Sequence, residues 1–553
     1  MDNVRRDLRV ALLLAAAAIA VEIALHTRIG RPLWYDELWR PHFAGEPWPT
    51  FWSELRSANA PSSLGSIALT RMTGDVFGWH AWALRTVMAG IWLPVLAVAT
   101  FLSARRFTGV LPAAGGAVAV ALSGTVVDSG TQLKPYVLEA VVSLAVYALW
   151  TAPGAPLRNR TAAGALAAVS LPAVFLLVPL AVGDLVRDRR TGWRAAPALL
   201  LAGGHTLLFV SHQSSQRASH FWDEQFLAGR GALGGLRFTA DQTRAVLGGA
   251  PPGIDRYDPN LVHSLLEGHR LATTLVGTAT AVAMLAGART LRRRADGATL
   301  LWCLVGAELL QLAASGGRYW PFGACRPNLF LVPLLTIVAA VGAGELAAAA
   351  RQRRGVGVGG ESGVGGESGV GGERGRGRVV RAASVVCLAG VAVTPICAAA
   401  GIGTMWRERH EVRPIEGMVA ATLAVRDQYR PGDAVIVGGR LARAGWLYGM
   451  ELSADGPRRP GARVPRSATT FLNAIGRGGA ERAVRTRQHP PRRILLFVLA
   501  YDRRGTVAEL ATLRSGGWCN RGVRSFPLTG TLHELDRCTV TGRRGPPTPS
   551  AGR

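Results

Sequence analysis

The chain has 553 residues, 49% of them hydrophobic and 18% charged, with a formal net charge of +27. A chain this long and apolar is not one soluble domain, and its apolar residues run together in long stretches. Nor does the charge mark a nucleic-acid binder. The arginines fall in short clusters between hydrophobic stretches, where the positive-inside rule places them, and no nucleic-acid-binding motif accompanies them.

The chain opens with "MDNVRRDLRVALLLAAAAIAVEIAL", a basic start followed by an apolar run. With no small-residue cleavage site before "HTRIGRPLWYDE", it reads as a first membrane helix with its amino end inside. Further stretches near the 17–25 residues that a span requires lie at about 84–104, 112–128, 134–150, 194–211, 270–288, 298–315, 328–347 and 383–402. The run 161–185 is flanked on both sides by basic clusters, "APLRNR" and "RDRRTGWR". If both flanks are inside, the run enters and returns as two short helices around Ser170–Pro172, and "ARRF" (104–107), "RTLRRR" (289–294) and "RQRR" (351–354) also fall inside. The expected fold class is therefore an all-α polytopic bundle of about eleven membrane segments with a C-terminal extracytoplasmic α/β domain.

The expected domains are a bundle over 1–350 with its outer loop at 27–83, a linker over 351–382, a last membrane helix at 383–402, an outside domain over 403–540 and a tail over 541–553. The linker repeats "GVGGES" with a period of six, a composition that cannot bury a core. Beyond it, "PGDAVIVGG" (431–439) and "RRILLFVLAY" (492–501) read as buried strands. "IEGMVAATLAVRDQY" (415–429) and "TVAELATLRSGG" (506–517) read as amphipathic helices. The tail is rich in Pro, Gly and Arg. Of the six cysteines, Cys303, Cys387 and Cys397 lie in apolar runs. Cys519 and Cys538 can form a disulfide if their domain lies outside the cytoplasm. No cysteine spacing resembles a zinc site.

Candidate chemistry gathers at the outer ends of the expected helices. "RPLWYDELWRPHF" places the adjacent carboxylates Asp36 and Glu37 about ten residues past the first helix, among Trp34, Tyr35 and Trp39. "PWPTFWSELRSANAPSSLGSIALTRM" (47–72) mixes aromatic and polar groups without a full span, as helices lying along a membrane surface do. "TQLKPY" supplies Lys134, the one lysine among 63 basic residues, with Tyr136 and Glu139 following. "GGRYWPFGACRPN" (316–328) adds Arg318, Tyr319 and Arg326, and Arg85 opens the second helix on the same side. Coding bias toward arginine explains why lysine is rare but not where the survivor sits. Four basic groups at outer mouths run against the positive-inside trend, and charges at the membrane boundary without a topological reason are functional candidates.

Cations there can hold a lipid phosphate as a leaving group, and a nearby carboxylate can accept a proton from a hydroxyl nucleophile. The combination suits transfer of a group from a lipid-linked phosphate to an acceptor outside the cytoplasm. No Walker loop or strand-framed GxGxxG is present, in keeping with a donor that arrives already activated. Lesser candidates are Glu22 and His26, one turn apart near the outer end of the first helix, and "NRT" (159–161), a glycan-acceptor pattern on the expected cytoplasmic side. A rival acid pair, Asp223 and Glu224, lies in "WDE". A competing class is a transporter or flippase of a lipid-linked or anionic solute, which calls for charges at mid-helix depth and two related halves. No internal repeat is visible, and the charges lie at the mouths.

"WYDE" after the first helix, "LRTVMAG" (84–90), "LKPYVLEAVV" (133–142) and "GRYWPFGACRPNLFLVPLL" (317–335) resemble, in order, side and spacing, the C-type membrane glycosyltransferases. The closest group is the family 39-like one that includes bacterial protein mannosyltransferases and aminoarabinose transferases. The resemblance covers roughly residues 8–402. It implies inverting transfer of a hexosyl or pentosyl group from a polyprenyl monophosphate to a hydroxyl of a cell-envelope glycan, lipid or protein, on the outer face of the plasma membrane. It further implies Asp36 as general base with Glu37 in support, and Lys134, Arg318, Arg326 and Arg85 on the donor phosphate. Tyr136, Tyr319 and Glu139 would shape the pocket. The implied partners are the membrane lipid, the polyprenyl-phosphate sugar and the acceptor, with no nucleic acid. A divalent metal is a possible cofactor with no ligands assigned. Many relatives carry a His-Pro-Pro-like element in the first loop; here the stretch reads "NAPSSLG" (59–65).

Overall fold

The structure is a computed structural model that describes residues 2–57, 62–212, 222–254, 270–355, 389, 392–394, 396, 401–439, 441–454 and 464–538. The linker repeat, most of the expected last membrane helix and the tail lie outside the described residues. The chain forms two compact units, one of residues 1–31 and 43–411, the other of 32–42 and 412–553. Residues 32–42, which the sequence reading keeps in the outer loop of the bundle, thus group with the C-terminal part of the chain.

The first unit is helical. In chain order it contains α1 (Asp2–Ala24), α2 (His26–Gly30), α3 (Trp48–Ser57), α4 (Leu64–Phe77), α5 (Ala81–Arg105), α6 (Val110–Ala121), α7 (Gly124–Gly130) and α8 (Tyr136–Thr151). There follow α9 (Pro156–Ala165), α10 (Ala173–Arg187), α11 (Trp193–Ser211), α12 (Ala232–Gly248), α13 (Leu271–Leu291), α14 (Ala295–Gly316) and α15 (Arg326–Arg351), whose first turn is 3₁₀. Among the described residues, five of these, α5, α11, α13, α14 and α15, are long and apolar enough to cross a membrane; bent by 56°, α6 and α7 together make a sixth. The expected eleven is larger, for identifiable reasons. α1 is long enough but carries Asp7, Arg9 and Glu22, α8 has only 16 residues, and α10 has 15 with Pro179 inside.

The run around 161–185 folds as the flanking charges suggested. α9 and α10 are broken apart at Val169–Pro172, and Arg160 near the start of α9 meets Asp184 near the end of α10 at 2.6 Å. An ion pair between the two open ends requires the helices to run antiparallel. Other pairs gather the same end of the unit. Arg105 at the end of α5 holds Asp7 of α1 at 3.1 Å, and Arg106 holds Asp296 of α14 at 2.6 Å. The start of α1, the end of α5 and the start of α14 therefore share one end of this unit.

α15 runs through the middle, with 83% of its most apolar window buried against 22% for α11. It crosses α13 where Ala283 and Gly287 face Val338 and Gly342. A Cβ on Gly342 would lie 1.7 Å from the Ala283 carbonyl oxygen, so only glycine allows this approach. Small residues of this kind let membrane helices pack backbone to backbone.

The second unit is an α/β domain. Its sheet has the order β2-β1-β3-β5-β4, with β1 (Ala434–Gly438), β2 (Thr469–Leu472), β3 (Arg493–Leu499), β4 (Trp518–Phe526) and β5 (Gly530–Arg537). β1 runs parallel to β2 and β3, while β5 is antiparallel to β3 and β4. The two central apolar runs are β1 and β3, buried almost throughout as strands covered on both faces must be. The expected helices appear as α16 (Met418–Gln428) and, after the short α17 (Ala442–Leu447) and α18 (Gly479–Arg485), α19 (Arg503–Ser515). β2, β4 and β5 were not foreseen. β4 and β5 are rich in polar and charged residues and show no apolar run. Cys519 and Cys538 form a disulfide that ties β4 to the end of β5.

Candidate functional site

The first cationic mouth of the helical unit is built from its backbone outward. α2 ends near Arg31, leaving carbonyls that no longer have partners within the helix. Arg85, fully buried, supplies them: its Nη1 donates to the carbonyls of Arg28 and Ile29, the latter at 2.9 Å, and to that of Arg31. In this structure Arg85 closes a helix end.

With α2 fixed, the Arg28 guanidinium reaches Asp128 Oδ1 of α7 at 2.8 Å. The other carboxylate oxygen accepts from Gln132 Nε2 at 2.5 Å. The Thr131 hydroxyl donates to the Asp128 carbonyl at 3.0 Å, and the Lys134 N–H to the Gln132 carbonyl at 2.8 Å. Lys134 itself is only 4% exposed, and its ammonium lies 5.8 Å from the centroid of the Tyr136 ring, at the start of α8. Glu139 is buried in the first turn of the same helix. The structure thus brings Lys134 together with Tyr136.

The second mouth lies between α14 and α15. Arg318 adopts a left-handed backbone conformation (φ +58°), ion-pairs with Asp223 and lies 5.4 Å from the Phe226 ring centroid. Residues 222–230 are stitched to this loop. Ser315 Oγ accepts from the Leu227 N–H at 2.8 Å and donates to the Gln225 carbonyl, whose oxygen also accepts from the Phe322 N–H. The buried Asn328 shapes the rest. Its Nδ2 donates to the carbonyls of Pro321 and Gly323, and its Oδ1 accepts from Trp320 Nε1 at 2.7 Å. Arg326 is half-buried at the head of α15, and Tyr319 is 48% exposed. The first turn of α15, which begins at Arg326, packs against α8, the helix that follows Lys134 in the chain.

The acid pair falls in the second unit, and its two members differ. Glu37 is fully buried, and its Oε2 accepts from the Trp34 N–H at 3.1 Å, closing the turn that holds the segment. Asp36 is half-exposed on that turn. The segment is anchored within its own unit. The Tyr35 N–H donates to the Pro414 carbonyl, and the Arg413 guanidinium lies 5.1 Å from the Trp34 ring centroid. Burial, with Tyr35 and Asp502 nearby, pushes the Tyr501 hydroxyl above its ordinary range.

Of the lesser candidates, His26 uses its Nδ1 on the Ile23 carbonyl. "NAPSSLG" is described only from Ser62 onward. Among the described residues no three His, Cys, Asp or Glu side chains gather to hold a metal, so no step through a metal is derived. Arg28, Asp128, Gln132 and Asn328 were missed from the sequence. The signal for Asp128 was present: an acid at the membrane boundary needs a partner, and the chain offers Arg28 at the corresponding depth.

No protein-family model matches the chain, and none of the curated proteins does. Among solved structures it is similar to ArnT from Cupriavidus metallidurans bound to undecaprenyl phosphate. The match has a TM-score of 0.51 at 14% identity and covers 95% of this chain and 97% of that one. The apo state of the same protein matches with the same score and coverage at 13% identity. The archaeal oligosaccharyltransferase AglB from Archaeoglobus fulgidus aligns at a TM-score of 0.44 and 11% identity, over 95% of this chain and 74% of that one. The match to ArnT shows that the chain has that protein's fold, as its motifs suggested.

Proposed function

We propose that this protein is a membrane glycosyltransferase that moves a sugar from a polyprenyl monophosphate to a hydroxyl acceptor on the outer face of the membrane. The observation that carries the reading is Lys134, the single lysine, buried in the loop that leads into α8, in a fold shared with a protein crystallised with undecaprenyl phosphate. A compact ammonium with rotatable donors suits a phosphate oxygen at such a depth.

In the proposed step the acceptor oxygen attacks the anomeric carbon in line. The new C–O bond forms as the bond to the phosphate oxygen breaks, and the configuration inverts. Asp36 takes the acceptor proton, and the phosphate leaves with the bonding electron pair, its charge offset by Lys134 and Arg318 with Arg326. Arg85 supports this set by fixing α2, and Glu37 by fixing the turn that carries Asp36. Tyr136, Tyr319 and Glu139 line the donor pocket. The outward placement of the second unit is supported by the Cys519–Cys538 disulfide, a bond that persists in oxidising compartments. The amino end of α1 is then cytoplasmic and the membrane is the plasma membrane.

The test is donor consumption. Membranes containing the full chain are incubated with radiolabelled polyprenyl-phosphate sugars, hexosyl and pentosyl. Wild type should release polyprenyl phosphate from at least one of them. Asp36→Asn should lower turnover by at least about a hundred-fold, the scale of losing a general base. No consumption of any donor by wild type, or full turnover in Asp36→Asn, overturns the proposal.

A further inference from the structure

Lys134 sits in a loop, and a loop ammonium cannot meet a phosphate with a defined geometry unless something fixes the loop. The backbone N–H of Lys134 bonds to the Gln132 carbonyl two residues back. What fixes Gln132 is Asp128, whose carboxylate spans two segments. Oδ2 takes the Gln132 amide at 2.5 Å, and Oδ1 takes the Arg28 guanidinium at 2.8 Å. Gln132 and Arg28 are both buried, at 2% and 5% exposed. The backbone of Arg28 is held in turn, because Arg85 donates to the carbonyls at the end of α2. Ser123 caps α7 by accepting from the Val126 N–H, which holds Asp128 from its own side. The chain of contacts runs from Arg85 through α2, Arg28 and Asp128 to Gln132 and the backbone of Lys134.

We infer that Asp128 is a positioning residue for the donor site: its carboxylate, shared between Arg28 and Gln132, sets where the Lys134 ammonium stands. The inference rests on the reading of Lys134 as a donor-phosphate ligand. A purely structural role for the Arg28–Asp128 pair makes a different prediction. The pair is only partly buried, its side chains 6% and 27% exposed; such a pair adds little net stability, and replacing both members by apolar groups of similar volume costs little, whereas removing one is destabilising. Stability and ligand binding can therefore be separated.

The experiment measures binding of undecaprenyl phosphate to the full chain in detergent, with thermal unfolding recorded in parallel. Asp128→Asn should weaken binding about ten-fold, the scale of one charge-assisted hydrogen bond misplaced. Asp128→Glu should recover part of that loss. The double variant Arg28→Met/Asp128→Leu, expected to unfold near the wild-type temperature, should bind as weakly as Asp128→Asn. In a Lys134→Ala background, Asp128→Asn should change binding by less than about two-fold, because a residue acting through Lys134 has nothing left to position. The inference is overturned if the double variant binds like wild type, or if the Asp128→Asn loss is undiminished without Lys134. Binding by Lys134→Ala equal to wild type sinks the underlying reading of Lys134 instead, and the inference with it.

Discussion

The two cationic mouths of the helical unit carry similar charge on opposite architectures. Lys134 is buried, and its loop is tied to Asp128 and through it to Arg28 and α2. Arg318 is about a third exposed, on a strained backbone, and paired with an acid from another loop. A buried cation on a fixed loop acts at low dielectric, with little reorganisation. A half-exposed one is screened by solvent, and its pair is exchangeable. The difference teaches that equal formal charges on one helical unit divide into a fixed cation and an adaptable one.

The largest expected effect follows from shape. Lys134→Arg keeps the charge but forces a planar guanidinium into a buried site, and donor use should fall by at least about ten-fold. Arg318→Lys, made where solvent can accommodate the change, should lower donor use only about two- to three-fold. Steady-state kinetics with a donor that wild type consumes would break the contrast if the two substitutions had equal effects or the reverse order.

A smaller effect should appear when the competitor of the exposed mouth is removed. Asp223→Asn frees Arg318 from its ion pair and should tighten undecaprenyl phosphate binding about two- to five-fold at low salt, the gain shrinking as ionic strength rises. A loss of binding instead would move Asp223 into the donor site itself and restore "WDE" as a rival to Asp36 and Glu37.

The smallest effect isolates burial in the second unit. His533 of β5 is buried, with Thr531 Oγ1 at 3.0 Å from Nε2 and the Asn520 amide at 3.3 Å from Nδ1. Burial pulls its pKa below the ordinary 6.5. The unfolded chain therefore binds a proton first as the pH falls. The stabilisation is complete above about pH 6.5 and is lost progressively below it, toward the lowered folded value. Hydrogen exchange of the β4 and β5 amides in the full chain, corrected for intrinsic rates, should accelerate about two-fold between pH 7.5 and 5.5. His533→Gln should remove the dependence; an unchanged pH response in that variant rejects this account.

The sequence by itself located the longest helices, because a run of about 20 consecutive apolar residues admits few alternatives. α5, α11, α13, α14 and α15 lie where the apolar runs lie. Charge bookkeeping placed the break near Ser170–Pro172, since like-sided flanks require an even number of crossings. β1 and β3 were legible as apolar runs, while β2, β4 and β5 were not, because an edge strand or a half-exposed strand needs no such run. Lys134 and Arg318 stood out because basic residues at the mouths contradict the positive-inside trend.

Only the tertiary structure decided what each of these groups touches. It gave Arg85 the carbonyls of α2 and gave Glu37 the Trp34 N–H, separating that acid from its half-exposed neighbour Asp36. It joined Arg28 to Asp128 across one hundred residues of sequence and set Asp223 against Arg318. Such pairs follow from the packing of helices distant in the chain, and periodicity and composition carry no information about partners so far apart.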